Sequence, residues 1–355
     1  MTPEFLNPGD LVVVTGGAGY VGAHLVPSLL DKGLRVRVLE TFLYGSQGAA
    51  EFASHPNVEI VYGDICNIRD LMHVTKGARA VIALAALVGD GACDLDPAES
   101  VAINVESTKL LCQAVKHRPD IERVVFASSC SVYGATEGLI LNEGSRLNPV
   151  SFYARSRIVS EDILRRELEG RSFVVLRLGT VFGVSKRPRL DLMINTMTTR
   201  ALTTGKITVM GGGAWRPHVH VQDVAKAFRL AVEGPARQIS GETFNVGSDE
   251  NNFTIADVAE MVAARIPGTV VEHVDTLDDL RSYRVSFDKI RHVMGFTPDR
   301  TIDEGIDEVR HLLEVEKVDP TDSRYSNLLH LKTKGFGGEG QACLDELYAA
   351  IGKVA

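Results

Sequence analysis

The chain has 355 residues, 45% of them hydrophobic, with 33 Gly, 13 Pro and a net charge of −8. That length suits two domains, or one domain with a sizeable insertion, and the composition excludes collagen-like, disordered and small disulfide-stapled classes. No basic tract is built to track nucleic acid or an anionic membrane, and the longest apolar run, Ala80–Val88, falls far short of the roughly 20 residues a bilayer needs.

The first residues, MTPEFLNPGD, lack the basic and apolar regions of a secretory signal. The five cysteines (Cys66, Cys93, Cys112, Cys130, Cys343) are odd in number and widely spaced, with no CxxC pair. Free thiols in a reducing cytoplasm are therefore expected, with no metal site.

In chain order, β-branched runs at 11–15, 35–39, 58–62, 80–84, 123–128 and 173–178 read as strands. Amphipathic stretches at 101–116 and 152–168 read as helices. Continuous apolar strands alternating with helices imply βαβ units, hence a doubly wound parallel Rossmann sheet in an α/β fold. Beyond 178 the pattern predicts a helix over 190–203, a Gly turn at 211–213, a helix over 221–233 and a strand at 242–246 that returns to the sheet. A strand at 269–273 among short helices suggests a smaller mixed C-terminal substrate-binding lobe. A Gly-rich break, 334–340, precedes a last helix over 342–351. The expected organisation is a cofactor domain of residues 1–180 with 215–250 returning to it. Residues 181–214 and 251–333 form the substrate lobe, and 334–355 the break and final helix.

Leu11-Val-Val-Val-Thr-Gly-Gly-Ala-Gly-Tyr-Val-Gly22 carries the strongest local signal. Gly16, Gly19 and Gly22 stand at TGxxGxxG spacing between a strand and a helix. This is the arrangement that turns the chain tightly, lets a pyrophosphate approach the backbone and packs helix on strand. Pro27 falls inside the helix that follows. Glu40 closes the second strand 18 residues after Gly22. There it can accept from both ribose hydroxyls and repel a 2′-phosphate, favouring NAD over NADP. Asp64, after the third strand, is a candidate adenine contact by the same argument.

These motifs continue with Ala83-Leu-Ala-Ala86, Asn104-Val105, Ser128-Ser-Cys-Ser-Val-Tyr-Gly134, Tyr153 and its helix, Arg216-Pro-His-Val-His-Val-Gln-Asp223, Phe244-Asn-Val-Gly247 and Ser286-Phe-Asp-Lys289. In this order they resemble the extended short-chain dehydrogenase/reductases, specifically the NAD-dependent nucleotide-sugar epimerase/dehydratase family, from Leu11 to about Glu314. The resemblance implies cofactor contacts from Gly16, Gly19, Tyr20, Val21, Gly22, Glu40, Asp64, Ile65, Ala85 and Asn104, together with Tyr153 and Arg157.

It also implies that Tyr153 is the acid/base and that Ser129 shares its hydrogen bond with the sugar hydroxyl. A tyrosine working as a base at pH 7 must be brought down from about 10, a difference of roughly 4 kcal/mol. The family places Lys one helical turn on, and here that residue is Arg157. A fixed positive charge at about 4 Å is worth roughly 4 kcal/mol at an effective dielectric near 20, although the guanidinium fork is directed differently from an ammonium. A working enzyme is the favoured reading, and an NAD-binding chain impaired in catalysis is an alternative.

Dehydratases of the family carry Asp-Glu directly after the residue matching Ser129, whereas this chain has Cys130-Ser131. Epimerisation of a nucleotide-diphosphate sugar, at C4 through a keto intermediate, is therefore expected. Net oxidation of such a sugar, or ketoreduction, is the runner-up. Substrate contacts are expected from Ser129, Thr180, Asn195, Arg216 and Arg281, with Arg284, Arg187 and Arg189 as further phosphate candidates. Trp215 is either a stacking or a packing residue. The resemblance also implies a homodimer through the helices around 101–116 and 152–168.

Overall fold

The computed structural model describes residues 5–274, 281–338 and 340–352. Its strands in chain order are β1 (Leu11–Thr15), β2 (Arg35–Glu40), β3 (Val58–Tyr62), β4 (Ala80–Ala83), β5 (Arg123–Ser129), β6 (Ala135–Leu141), β7 (Ser172–Leu178), β8 (Thr180–Phe182), β9 (Lys206–Met210), β10 (Trp215–His220), β11 (Glu242–Val246), β12 (Asn252–Thr254), β13 (Val270–Val274) and β14 (Ser282–Val285).

Seven of them make the main sheet, in the order 3-2-1-4-5-7-11 and parallel throughout. Alternate residues of β1 enter different cores, as a period of two requires. Val12 and Val14 pack with Leu25, Leu29 and Phe228 on one face, and Val13 packs with Leu71, Val115 and Leu164 on the other. Both faces are covered by helices, which is why the strands read as unbroken apolar runs. Strand order reverses between β1 and β4, and the crevice beyond their carboxyl ends is where such a sheet takes its ligand.

A second core, with Ile194, Ile207, Val209, Val258, Val262 and Ile306, holds helices Met193–Thr204, Ile255–Arg265 and Ile302–Glu314 against the β9–β13 pair. Parallel pairing of β8 with β10, and antiparallel pairing of β10 with β12, ties this lobe to the strand ends of the main sheet.

The helix expected over 101–116 has more structure than its apolar stripe revealed. It starts at Pro97, where the Asp96 side chain accepts from the amides of Ala98 and Glu99. It then makes a π turn over Ala102–Glu106 before running on through Ser107–Lys116. Single-turn π segments often mark functional sites, and this one carries Asn104. Two further elements go beyond the sequence reading: β6 pairs with β14, and a helix spans Asn327–Lys334. No helix among the described residues is long and apolar enough to cross a membrane.

Candidate active site

The Gly turn has the geometry a dinucleotide requires. Gly16 takes φ +72°, and a Cβ there would lie 2.9 Å from the Ala85 backbone. A Cβ on Gly22 would lie 2.3 Å from the Gly17 carbonyl oxygen, so helix and strand pack at a distance that only glycine allows. Gly19 would meet only the Gly16 carbonyl, at 3.1 Å, leaving its outer face open to a ligand. Helix Gly22–Leu30 begins after Val21 with neither a side-chain cap nor an acidic residue in its first turn. Its amide dipoles are thus presented bare to an anion. Tyr20 points away from this cradle, its hydroxyl donating to Gly183 O at 2.7 Å while its carbonyl accepts from Ser185 Oγ at 2.8 Å.

Glu40 ends β2 beside the turn, as its spacing from Gly22 predicts. Its oxygens accept from the amides of Ala18 at 3.1 Å, Thr41 at 3.0 Å and Phe42 at 3.2 Å. Burial pushes the carboxyl above its usual value, and those amides with nearby Arg187 pull it back down. Glu40 therefore braces the Gly turn and the segment that follows β2. Asp64 is exposed and accepts from the Cys66 amide at 2.8 Å, with half-buried Ile65 between them. Asn104 is buried and grips the segment after β4, accepting from Leu87 N and donating to Leu87 O, both at 2.9 Å.

Ser129 closes β5, its Oγ accepting from Ser131 N at 3.1 Å, which leaves the hydroxyl hydrogen free to donate. Ser151 caps helix Phe152–Glu167 by accepting from Ala154 N, and this sets Tyr153 in the first turn with Arg157 one turn on. The Arg157 guanidinium lies 5.4 Å from the Tyr153 ring centroid and 5.5 Å from that of Phe126. It donates weakly to Ala127 O at 3.4 Å. Its Nε and Nη2, although buried, have no hydrogen-bond partner among the described residues. Two such donors beside Tyr153 are suited to ribose oxygens, so the chain fits the cofactor that its Gly turn implies.

Burial pushes the Tyr153 phenol above its ordinary value, and Arg157 draws it back only part of the way. The downward shift expected from Arg157 is not reached, because desolvation of the phenolate outweighs its charge.

Among the substrate candidates, Arg216 is 3% exposed and donates to Trp215 O at 2.8 Å and to Arg281 O, its guanidinium 5.3 Å from the Tyr283 ring. Arg281 pairs with Asp90, and Arg284 stacks 4.5 Å from Trp215, so the tryptophan is paired with a cation within the chain. Thr180 opens β8, half-buried and level with His218 of β10. Asn195 is turned inward, bonded to Gly183 N and O and to Arg189 O at 2.9–3.0 Å. Its amide thus holds the 183–189 segment together. Arg189 clamps Asp191, and Arg187 lies 4.1 Å over the Tyr44 ring.

Asp90 and Tyr44 were missed by the sequence reading. Asp90 opens the short helix after β4, stands within electrostatic reach of both Tyr153 and Tyr283, and pairs with Arg281, 191 residues away. Local sequence carries no signal for such a contact.

A parallel sheet with a bare helix N-terminus at its switch point, and a Ser–Tyr–cation set over the adjoining strand end, defines a Rossmann-type dinucleotide enzyme. The chain belongs to the NAD dependent epimerase/dehydratase family, whose profile matches residues 12–247, and NAD is its cofactor. It is 27% identical over 307 residues to a putative UDP-glucose 4-epimerase of Methanocaldococcus jannaschii, covering 84% of this chain and 97% of that protein. The UDP-N-acetylglucosamine 4-epimerase of Methanobrevibacter ruminantium, solved with UDP-N-acetylmuramic acid, superposes with a TM-score of 0.78 at 25% identity, covering 87% of this chain and 99% of that one. A dTDP-glucose 4,6-dehydratase from Streptomyces venezuelae, solved with NAD bound, gives a TM-score of 0.76 at 25% identity, over 86% and 98% respectively.

Proposed function

We propose that the chain is an NAD-dependent epimerase of a nucleotide-diphosphate sugar and inverts C4 without net oxidation. The observation that carries this over dehydration is the segment after Ser129. Cys130 is fully buried, its thiol donating to Arg177 O at 3.3 Å, and Ser131 follows it, so the segment offers no carboxyl to expel water. Burial pushes the Cys130 thiol up, which also removes it as a nucleophile.

When bound, NAD supplies a hydride acceptor that can return what it takes. The chain's own part is proton handling and placement. Tyr153 Oη takes the proton of the C4 hydroxyl and gives it back, and Ser129 Oγ donates to the same oxygen. Arg157 stabilises the phenolate and turns its unpaired Nε and Nη2 to the cofactor ribose. Arg216 and Arg281 lie on the lobe side, where bidentate guanidinium–phosphate bonding would seat the diphosphate.

Incubation with UDP-hexoses should give a C4 epimer, detected by NMR, with no NADH absorbance accumulating. Tyr153→Phe should lower the rate by at least 100-fold, the scale of general acid–base catalysis. Stoichiometric NADH would instead favour a net-redox enzyme. The impaired-catalyst alternative rests on Arg157 standing where the family has Lys, and it predicts NAD binding without turnover of any sugar nucleotide.

Val101 and Val159, both exposed, lie on the helices expected to form the homodimer interface. Their exposure supports that assembly.

A further inference from the structure

The chain beyond Glu314 has no part in the chemistry above, yet it crosses the carboxyl ends of the main strands. Tyr325 O accepts from Leu190 N at 2.9 Å. Asn327, 3% exposed, opens the next helix: its Oδ1 accepts from Arg187 Nη2 at 2.6 Å and its Nδ2 donates to Val88 O at 3.3 Å. One turn later His330 meets the Tyr44 ring edge-on at 5.2 Å. Phe336 packs on the buried cluster around Leu87 and Cys93, which Tyr153 also borders. Gly338 passes so close to the loop after β2 that a Cβ would lie 2.3 Å from Thr41 O. The segment is then anchored by helix Gly340–Ala350, whose Tyr348 donates to Ile60 O at 3.3 Å.

Beneath it lie two unused donors. Arg187 Nε and Tyr44 Oη are buried without a partner among the described residues, and Arg187 is within electrostatic reach of Glu40. Buried polar groups without a partner are costly, and these two sit beside the ribose end of the dinucleotide crevice.

We propose that residues 325–338 are a strap closed over the cofactor crevice, latched by Asn327 on Arg187 and His330 on Tyr44. In the closed site Arg187 and Tyr44 turn their unused donors to oxygens of the cofactor's adenosine half. The strap rests on the reading that this chain holds NAD in the Gly-turn crevice. It suits an enzyme that must keep the reduced cofactor until the hydride is returned, whereas a net-redox enzyme must exchange it on every turnover.

The test is the NAD dissociation rate of the full-length chain, with hydrogen exchange of the strap as a second readout. Asn327→Ala removes the latch, and Gly338→Ala drives the strap off Thr41. Each should release NAD at least tenfold faster than the parent, whereas Glu346→Ala, on the exposed side of the last helix, should not. In the parent, NAD should slow amide exchange across 327–334. Release from both variants within twofold of the parent rate, or no exchange protection by NAD, would overturn the strap alone. A parent chain that takes up no NAD would overturn the underlying reading with it.

Discussion

At the scale of single residues, the proposed chemistry turns on Arg157 beside Tyr153. Its guanidinium lies 5.4 Å from the centre of the Tyr153 ring, and its charge favours the phenolate against the desolvation that pushes the phenol up. Arg157→Met should therefore push the phenol still higher and move the alkaline-rising limb of kcat/KM to higher pH, with a loss of roughly tenfold to a hundredfold at neutral pH. An unmoved limb would remove Arg157 from the proton chemistry. The glycines make a sharper prediction. Gly22→Ala puts a methyl 2.3 Å from the Gly17 carbonyl oxygen, so NAD affinity should fall by at least tenfold in titration calorimetry, even where the fold survives. Both positions were legible in the sequence because the constraint on each is local: the close helix–strand approach that only Gly22 allows, and one helical turn between Tyr153 and Arg157. Arg187 and Asn327 were not legible as a pair, since 140 residues separate them and only the folded chain makes them neighbours.

At the scale of elements, one buried polar network holds the Tyr153 helix to the sheet. Glu161, two turns after Tyr153, accepts from Ser128 Oγ at 2.6 Å and from Arg177 Nε and Nη2 at 2.9 and 2.7 Å. Arg177 in turn donates to Tyr133 Oη at 3.0 Å, whose hydroxyl donates to Asn245 Oδ1 at 2.8 Å. The network fixes β5, β7 and β11 relative to the Tyr153 helix. Its pair bonds hold the Glu161 carboxyl below its usual range despite burial. Glu161→Ala would leave Arg177 charged without its carboxylate partner, so a loss of about 3–5 kcal/mol is expected in urea unfolding. A loss below 1 kcal/mol would show that the network is dispensable. The strands of the main sheet were readable from apolar runs and flanking turns. The π turn at Ala102–Glu106 and the β6–β14 pair were not, because a one-residue change of helical pitch and a pairing across some 140 residues leave no periodic trace.

At the scale of the whole molecule, acid should weaken the fold through a buried histidine. His218 on β10 is fully buried, and burial lowers its pKa from 6.5 to about 4. Between those values the unfolded chain binds a proton that the native chain refuses, so stability falls as pH drops from about 6.5 towards 4. The loss approaches roughly 3 kcal/mol per molecule. His24, also lowered by burial, acts in the same direction. In His218→Gln the decline of Tm over this interval should be shallower than in the parent; an unchanged slope would assign the acid sensitivity to other groups.

In the proposed reaction the sugar gives its C4 hydride to NAD and receives it back at the same carbon. The most direct measurement is turnover of a UDP-hexose carrying deuterium at C4, followed by NMR. The account predicts the C4 epimer with its deuterium retained and no accumulation of NADH. An epimer whose C4 deuterium has exchanged for solvent hydrogen, or a ketosugar formed with stoichiometric NADH, would contradict it.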